Sequence, residues 1–173
     1  MKVVNLFGAP GSGKSTGAAY LFAKLKMAGI NAELVTEFAK DKVYEDSKEV
    51  FNNQTYILGK QCFRQSKLRD KVDVIITDSP LLLSIYYNDD KDIQDELSAL
   101  TLKIFDSYDN HNYFINRVKP YNPKGRFQTE EEAMTIVDDM KDFLNNYNIP
   151  FEERDGNDKG YDLIYNDIID KLN

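Results

Sequence analysis

The feature that most constrains the fold is a glycine-rich segment, Gly8–Ser15, with the sequence GAPGSGKS. It satisfies the pattern G-x-x-x-x-G-K-[ST], in which successive backbone N–H groups turn inward around a phosphate. The apolar residues 2–7 before it predict a buried strand, and the apolar spacing over about 15–28 predicts a helix after it. Such a loop works only between a strand and a helix, so this segment, the phosphate loop, predicts an α/β nucleotide-binding fold.

Residues of the phosphate loop have expected parts in holding ATP and Mg²⁺. Lys14 is expected to reach the β- and γ-phosphates as a point charge, and Ser15 to place its hydroxyl on Mg²⁺. The helix that follows adds the positive end of its dipole to the same site. The predicted ATP-binding residues of this segment are Gly8, Ala9, Pro10, Gly11, Ser12, Gly13, Lys14, Ser15 and Thr16.

Strand and helix patterns alternate along the rest of the chain, which predicts a parallel sheet with helices on both faces. The predicted strands cover residues 2–7, 32–36, 72–77, 112–116 and 149–153. The predicted helices cover about 15–28, 50–69 and 92–105, with a further helix capped by Thr129 and a last one from about Tyr161. The 173 residues therefore predict one α/β domain, 1–173, with three layers and a five-stranded parallel sheet.

Two acidic residues stand at the carboxyl ends of predicted strands, where ligands of open parallel sheets bind. Asp78 follows the third strand, where a Walker B aspartate would order water or complete the shell of Mg²⁺; the alternative is a turn aspartate before Ser79. Glu37 follows the second strand, where a carboxylate would accept the proton of the hydroxyl being phosphorylated; the alternative is a solvated glutamate. Asp41 is a weaker candidate.

The predicted helix over 50–69 carries long polar side chains along one face. Gln54, Gln61 and Arg64 share that face because they are spaced seven and three residues apart. The glutamines could bind the edge of an acceptor base, and Arg64 a phosphate or a ribose hydroxyl. The alternative is that the glutamines face water and that the buried face consists of Phe51, Leu58 and Cys62. A stacking surface, or more commonly an aromatic core, would be formed by Tyr56, Phe63, Tyr86 and Tyr87.

A basic segment over about 117–128 follows the fourth predicted strand. Its cations, which no acidic residue interrupts, are Arg117, Lys119, Lys124 and Arg126. We expect this segment to be a lid loop that folds over the transferring phosphates, with Arg117 and Arg126 neutralising charge and the loop excluding water. The alternative is a solvated loop that balances nearby acids.

Composition limits the partners and the compartment. The chain has 22 basic and 29 acidic residues and a formal net charge of −7, which argues against a dedicated nucleic-acid-binding protein. Its single cysteine, Cys62, cannot form an internal disulfide, which favours the cytoplasm. No segment approaches the roughly 20 apolar residues of a membrane span.

These residues together resemble the small P-loop nucleoside and nucleotide kinases, especially the ribosylnicotinamide-kinase-like and thymidylate-kinase-like families with their compact phage and bacterial members. The resemblance covers nearly the whole chain. It matches Glu37 to the acid after the second strand and Asp78–Pro80 to the element after the third. It matches Arg64 to an arginine on the substrate-side helix, and residues 117–126 to an arginine-bearing lid.

The resemblance also implies that the loop after the fifth strand packs on the adenine, which assigns Asp155 and Gly156 to ATP binding. One position departs from the family pattern. Many relatives carry Asp-Arg after the third strand, whereas Ser79 follows Asp78, so that the contact of that arginine is missing or is made by the lid. The activity implied is ATP- and Mg²⁺-dependent transfer of the γ-phosphate to a nucleoside, a nucleotide or a related small metabolite.

Two other activities fit the same residues. A kinase of a nucleic-acid end or of a modified base in DNA would use the basic lid on a backbone. A non-catalytic nucleotide-binding interaction module would need the phosphate loop alone. A regulatory GTPase is not expected because the chain lacks an Asn-Lys-x-Asp segment, and a large AAA-type motor is not expected from 173 residues.

Overall fold

The computed structural model describes residues 1–38, 50, 52–120 and 130–172, without the side chains of residues 130, 132 and 133. The strands are β1 (Lys2–Phe7), β2 (Ala32–Val35), β3 (Val74–Thr77), β4 (Asp109–Asn116) and β5 (Glu152–Asp155). The helices are α1 (Lys14–Met27), α2 (Gln54–Ser66), α3 (Leu83–Tyr86), α4 (Gln94–Phe105), α5 (Glu130–Asn146) and α6 (Asp158–Leu172). A single 3₁₀ turn, Lys91–Ile93, precedes α4.

The strands form one five-stranded sheet in the order β2-β3-β1-β4-β5, and every pairing in it is parallel. This confirms the predicted α/β fold with a five-stranded parallel sheet. Because β1 lies between β3 and β4, the strand order reverses at β1, and the phosphate loop leaves the sheet at that switch point. β1 pairs with β3 from Lys2 opposite Val74 to Asn5 opposite Thr77. Asp78 therefore leaves the sheet beside the strand that leads into the phosphate loop.

Apolar side chains cover the two faces of the sheet in separate clusters, so the three predicted layers are present. On one face α1 and α6 pack through Leu21, Leu25, Ile164 and Ile168, all of which are buried. This is the apolar stripe that the spacing over 15–28 predicted. On the other face α4 and α5 pack against β1 and β4 through Phe7, Phe105, Phe114, Met140 and Leu144. Each face thus buries apolar surface against helices, the arrangement typical of parallel sheets.

Side-chain caps shift two helix starts from their predicted positions. The helix expected from about Val50 begins at Gln54, because the Asn53 side chain accepts a hydrogen bond from the Tyr56 N–H at 2.9 Å. The last helix begins at Asp158 instead of about Tyr161, because the Asn157 side chain accepts from the Gly160 N–H at 2.9 Å. The predicted cap Thr129 lies outside the described residues.

The last strand also differs from its predicted bounds. β5 covers Glu152–Asp155 instead of 149–153. Ile149 and Phe151 do pack in the core, but they belong to the turn before the strand. β5 pairs only with β4 and its residues are largely exposed, so its sequence carries no apolar pattern. The predicted bounds were wrong because the apolar residues that are buried in the core and the residues that pair with β4 are different residues at this edge of the sheet. β4 in turn begins three residues before its predicted start, at the polar Asp109.

Candidate functional site

The phosphate loop has the backbone that its glycines allow. Gly8, Gly11 and Gly13 have φ values of +137°, +83° and +106°, which other residues rarely adopt. Gly8 also needs to be glycine for reasons of space, because a Cβ there would lie 2.7 Å from the Ile115 carbonyl oxygen. Gly13 is the N-cap of α1, so the N–H donors of the first helical turn face the loop. The loop and helix therefore form a backbone site for an anion.

The Lys14 ammonium lies back over the phosphate loop. It donates to the carbonyl oxygens of Gly8 and Ala9 at 2.5 and 3.1 Å. These acceptors are neutral, whereas phosphate oxygens are charged and make stronger hydrogen bonds with an ammonium group. Lys14 thus occupies the position from which a phosphate in the loop would attract it.

The segment 155–161, which runs from the last residue of β5 into the first turn of α6, closes one side of the phosphate loop. The Gly156 N–H donates to the Asn116 carbonyl oxygen at 2.8 Å, and a Cβ at Gly156 would collide with the Ser12 carbonyl oxygen. A cavity of about 180 Å³ opens beside this contact. It is lined by Gly11, Ser12, Gly13, Thr16, Lys119, Pro120, Gly156 and Tyr161. The structure thereby brings Gly156 and Thr16 to the same cavity.

A second cavity, of about 240 Å³, brings Arg117 to the other side of the phosphate loop. Its lining consists of Ala9, Pro10, Ser12, Asn116, Arg117, Met134 and Val137. The Ser12 hydroxyl is buried and has no hydrogen-bond partner among the described residues. Only residues 117–120 of the predicted lid are described. Arg126 and Lys124 lie outside the described part of the chain, as does Asp41.

The two predicted acids lie next to each other at the ends of neighbouring strands. Asp78 is 6% exposed, and its carboxylate accepts a hydrogen bond from the Glu37 backbone N–H at 3.2 Å. Because β3 lies between β2 and β1, Asp78 stands between Glu37 and the phosphate loop along the sheet edge. One acid thus orients the backbone of the other, a contact that their positions in the sequence did not predict.

The polar face of α2 is buried, which contradicts the alternative that its glutamines face water. Gln54 is 7% exposed and Gln61 is 2% exposed. The Gln61 amide accepts from the Phe38 N–H at 3.3 Å and donates to the Thr36 carbonyl oxygen at 3.4 Å. Leu58, from the same alternative, is buried as well, whereas Phe51 lies outside the described residues. Gln61 is buried because it faces the chain segment that follows β2.

Arg64 contacts that same segment. Its guanidinium donates to the Thr36 carbonyl oxygen at 2.9 Å and lies 5.3 Å from the centre of the Phe38 ring. Gln61 and Arg64 together hold the residues on either side of Glu37. Neither Thr36 nor Phe38 carried a signal in the sequence, because the contact joins segments more than twenty residues apart.

Aromatic side chains border the acidic pair. Tyr86 packs edge-on against Phe143 and against Tyr87, with ring centres 5.5 and 4.8 Å apart. Burial raises the pKa of Tyr87, and Tyr86 and the charge of Glu37 raise it further. Tyr56 packs edge-on against Phe38 at 5.5 Å, whereas Phe63 is 66% exposed. The predicted aromatic set therefore divides between core, site border and surface.

Within the described ranges, no helix combines the length and the apolar character needed to cross a bilayer. Nor do the described residues contain a cluster of three or more His, Cys, Asp or Glu side chains arranged to hold a metal ion.

The fold and the phosphate loop define a P-loop nucleotide-binding protein. A family model described as an AAA domain matches residues 3–157, and the chain belongs to that family. The fold is similar to that of deoxyadenosine kinase from M. mycoides with bound dATP, with a TM-score of 0.55 and 21% identity over 99% of both chains. It is also similar to thymidylate kinase from Ehrlichia chaffeensis, with a TM-score of 0.56 and 14% identity over 99% of this chain and 98% of the other.

No curated protein sequence gives a significant match to the chain. The two structural likenesses show that the chain has the fold of small P-loop nucleoside and nucleotide kinases, which confirms the resemblance predicted from the sequence at the level of the fold.

Proposed function

We propose that the protein is a kinase that transfers the γ-phosphate of ATP, with Mg²⁺, to a nucleoside, a nucleotide or a related small metabolite. The main support for this proposal is that a complete phosphate loop and a pair of acids lie at the same edge of the sheet. The loop supplies the site for a triphosphate, and Glu37 supplies a base for an acceptor hydroxyl. A binding module would need the first element only.

The donor half of the proposed reaction uses the phosphate loop and its surroundings. Lys14 leaves its two carbonyl partners for the β- and γ-phosphates. Arg117, which lines the cavity beside the loop, neutralises charge on the transferring group. Asp155 and Gly156 border the base of ATP. Arg126 is proposed for the same charge-neutralising role as Arg117 on sequence grounds alone.

Mg²⁺ fits the donor set of this site. The Ser15 hydroxyl at the start of α1 and the Asp78 carboxylate are oxygen donors, the type that Mg²⁺ binds. Mg²⁺ commonly takes only one or two protein ligands beside substrate phosphates and water, so the site needs no protein metal cage. When bound, the ion would draw charge from the phosphate oxygens.

The acceptor half centres on Glu37. The acceptor oxygen attacks the γ-phosphorus, the bond from that phosphorus to the β-phosphate oxygen breaks, ADP leaves, and the acceptor proton passes to the Glu37 carboxylate. Asp78 holds the Glu37 backbone, and Gln61 and Arg64 hold the residues on either side of it. This arrangement favours a fixed base over a mobile surface glutamate.

The face of α2 is proposed to border the acceptor. Gln54, Gln61 and Arg64 lie along it, and amide and guanidinium groups are of the types that bind a base edge, a ribose hydroxyl or a phosphate. The backbone contacts of Gln61 and Arg64 support a second role, which is to keep the acceptor side of the site in shape. We place the protein in the cytoplasm, where its free Cys62 would stay reduced.

A panel of acceptors tests the proposal. The protein is incubated with ATP and Mg²⁺ and with nucleosides, nucleoside monophosphates, ribosylnicotinamide or a 5′-hydroxyl oligonucleotide, and ADP release is recorded for each. We expect release to rise well above the acceptor-free rate with at least one small acceptor, and to vanish in Lys14→Ala.

The other outcomes assign other functions. Stimulation by the oligonucleotide alone would make the protein a nucleic-acid-end kinase. ATP binding without stimulation by any acceptor would overturn the proposal in favour of a nucleotide-binding module.

A further inference from the structure

The first turn of α6 reaches the back of the phosphate loop through one buried side chain, Tyr161. It is 3% exposed, and its hydroxyl donates to the Gly13 carbonyl oxygen at 2.9 Å. The same oxygen accepts the first hydrogen bond of α1, from the Gly17 N–H at 2.8 Å. The Gly13 carbonyl is thus held by two donors, one from its own helix and one from a helix at the other end of the chain.

The direction of this carbonyl matters for anion binding. A peptide unit is planar and trans, so the carbonyl of Gly13 and the N–H of Lys14 point in opposite directions. The N–H of Lys14 belongs to the N-terminal turn of α1, the group of donors that faces a phosphate bound at a helix start. By holding the Gly13 carbonyl outward, the Tyr161 hydroxyl therefore keeps the Lys14 N–H directed inward.

The packing around the ring shows that α1 leaves space for it. A Cβ at Gly17 would lie 2.5 Å from Cε1 and 2.9 Å from Cδ1 of Tyr161, and a Cβ at Gly13 would lie 2.5 Å from its hydroxyl oxygen. Gly17 has no part in the phosphate-loop pattern, which ends at Ser15, and glycine inside a helix is less stable than alanine. The tyrosine ring explains why this position of α1 carries no side chain.

The same segment also borders the cavity beside the phosphate loop. Gly156 and Tyr161 line that cavity together with Gly11, Gly13 and Thr16. Gly156 is in addition wedged against the Ser12 carbonyl oxygen, where no side chain fits. The segment 155–161 therefore contacts the phosphate loop near each of its own ends, through Gly156 and through Tyr161.

We propose that Tyr161 is a positioning residue for the triphosphate: it holds the Gly13–Lys14 peptide in its anion-binding orientation from behind the loop. This inference rests on the proposed function in taking a nucleoside triphosphate as the ligand, and it concerns binding of that ligand, whichever acceptor follows. This role of the Tyr161 hydroxyl is separate from the stability that the Tyr161 ring contributes to the contact between α1 and α6.

Tyr161→Phe tests the proposal because it removes the hydroxyl and keeps the ring. One hydrogen bond corresponds to roughly a three- to tenfold change in affinity. We expect ATP, and inorganic tripolyphosphate as a probe without a base, to bind about that much more weakly by calorimetry. The KM for ATP should rise by the same factor, while kcat and the KM for the acceptor stay close to wild type.

Tyr20→Phe is the matched control. The Tyr20 ring lies 5.7 Å from the Tyr161 ring at the same helix contact, and its hydroxyl donates to Asp162 at 2.7 Å instead of to the loop. Loss of that hydroxyl should lower the melting temperature to a similar extent and leave ATP affinity unchanged. Equal ATP affinities of the two variants would overturn the proposal.

Gly17→Ala approaches the same contact from the other side, since its methyl group would push the tyrosine ring away. If it acts by breaking the contact with Gly13, its effect on ATP affinity should largely disappear in the Tyr161→Phe background. Full additivity of the two effects would contradict the proposal. Because the readout is binding, a wild-type protein that binds ATP but phosphorylates no acceptor would refute the proposed function and leave this test intact.

Discussion

The phosphate loop and the acidic pair lie at the same sheet edge, but they are held in place by different means. Gly156 is pressed against the Ser12 carbonyl oxygen and Tyr161 against Gly17, so backbone and ring contacts leave no space for a further atom. The segment carrying Glu37 is held instead by hydrogen bonds: the side chains of Asp78 and Gln61 accept from its backbone N–H groups, and the Arg64 guanidinium donates to the Thr36 carbonyl oxygen. The proposed donor half is therefore held by close packing, and the proposed acceptor half by side-chain hydrogen bonds.

This difference has a chemical reason. A triphosphate presents the same oxygens whatever the acceptor, so a fixed backbone site suits it. Acceptors differ in size and in polar groups, and side chains on a helix can change without rebuilding the sheet. In physical terms the donor half should tolerate almost no change in volume, and the acceptor half should respond to changes in hydrogen bonding.

The largest effect is expected from Lys14→Ala, which removes the cation of the donor half. Loss of a charged donor from a phosphoryl-transfer site costs on the order of 10³-fold in turnover. ATP affinity should fall as well, because the ammonium also binds the ground-state phosphates. Lys24→Ala in the same helix is the control, since Lys24 pairs with Asp162 at 2.5 Å, and it should keep wild-type turnover. Similar turnover in the two variants would contradict the assignment.

Glu37→Gln and Asp78→Asn should separate the proposed general base from the proposed magnesium ligand by phenotype. Removal of a general base lowers turnover by roughly 10²–10⁴-fold, so Glu37→Gln should turn over slowly and still bind ATP. Asp78→Asn should shift the Mg²⁺ dependence of turnover, because the carboxylate is the proposed magnesium-side ligand. Titrations of ATP and Mg²⁺ against both variants measure this. Equal loss of ATP binding in both variants would contradict these two assignments.

Features that are local in sequence could be predicted, whereas contacts between distant segments could not. The phosphate loop was recognisable because all its determinants are neighbours in sequence between residues 8 and 15. Glu37 and Asp78 were predicted as site residues because they follow apolar strands. The hydrogen bond from the Glu37 N–H to the Asp78 carboxylate was not predicted, since it depends on the strand order, which local sequence patterns do not contain. Tyr161 carried no local signal, because its partner Gly13 lies almost 150 residues away.

Contacts between residues far apart in the sequence explain the remaining differences between the predicted and the observed structure. Gln54 and Gln61 left two interpretations open, because a helix pattern shows which residues share a face and not what that face meets. Gln61 meets the backbone of Thr36 and Phe38 and is buried there, and Gln54 is buried as well. β5 was misplaced for a related reason: the apolar Ile149 and Phe151 fill the core, while the polar residues after them pair with β4.

Gly156→Ala tests whether the donor half depends on shape. The new methyl group would collide with the Ser12 backbone, and overpacking of this kind costs typically about 1–3 kcal/mol. ATP affinity should fall together with the free energy of unfolding. Gly59→Ala is the control, because no atom lies within 4 Å of a Cβ there, and it should stabilise the protein by about 0.5–1 kcal/mol. If Gly156→Ala proves as harmless as the control, the loop is not held by close contact.

The smallest effect is expected on the acceptor side. Gln61→Ala removes the side chain that bonds to the backbone of Thr36 and Phe38, so Glu37 should be less well placed and kcat should fall roughly tenfold. ATP affinity should not change. Gln65→Ala is the control, because Gln65 is buried on the same helix and its Nε2 has no hydrogen-bond partner among the described residues. A loss of kcat in Gln65→Ala as large as in Gln61→Ala would reduce the role of Gln61 to stability.

The proposed kinase activity requires the donor and acceptor halves to act together in moving a phosphoryl group. The direct measurement is a single-turnover reaction with γ-labelled ATP, Mg²⁺ and the best acceptor, quenched and separated into ATP, inorganic phosphate and organic phosphate. We expect the label to leave ATP for the organic acceptor in the wild-type protein, and Lys14→Ala and Glu37→Gln both to block this step. Label that stays in ATP, or that leaves only as inorganic phosphate with every acceptor, would contradict the proposed activity.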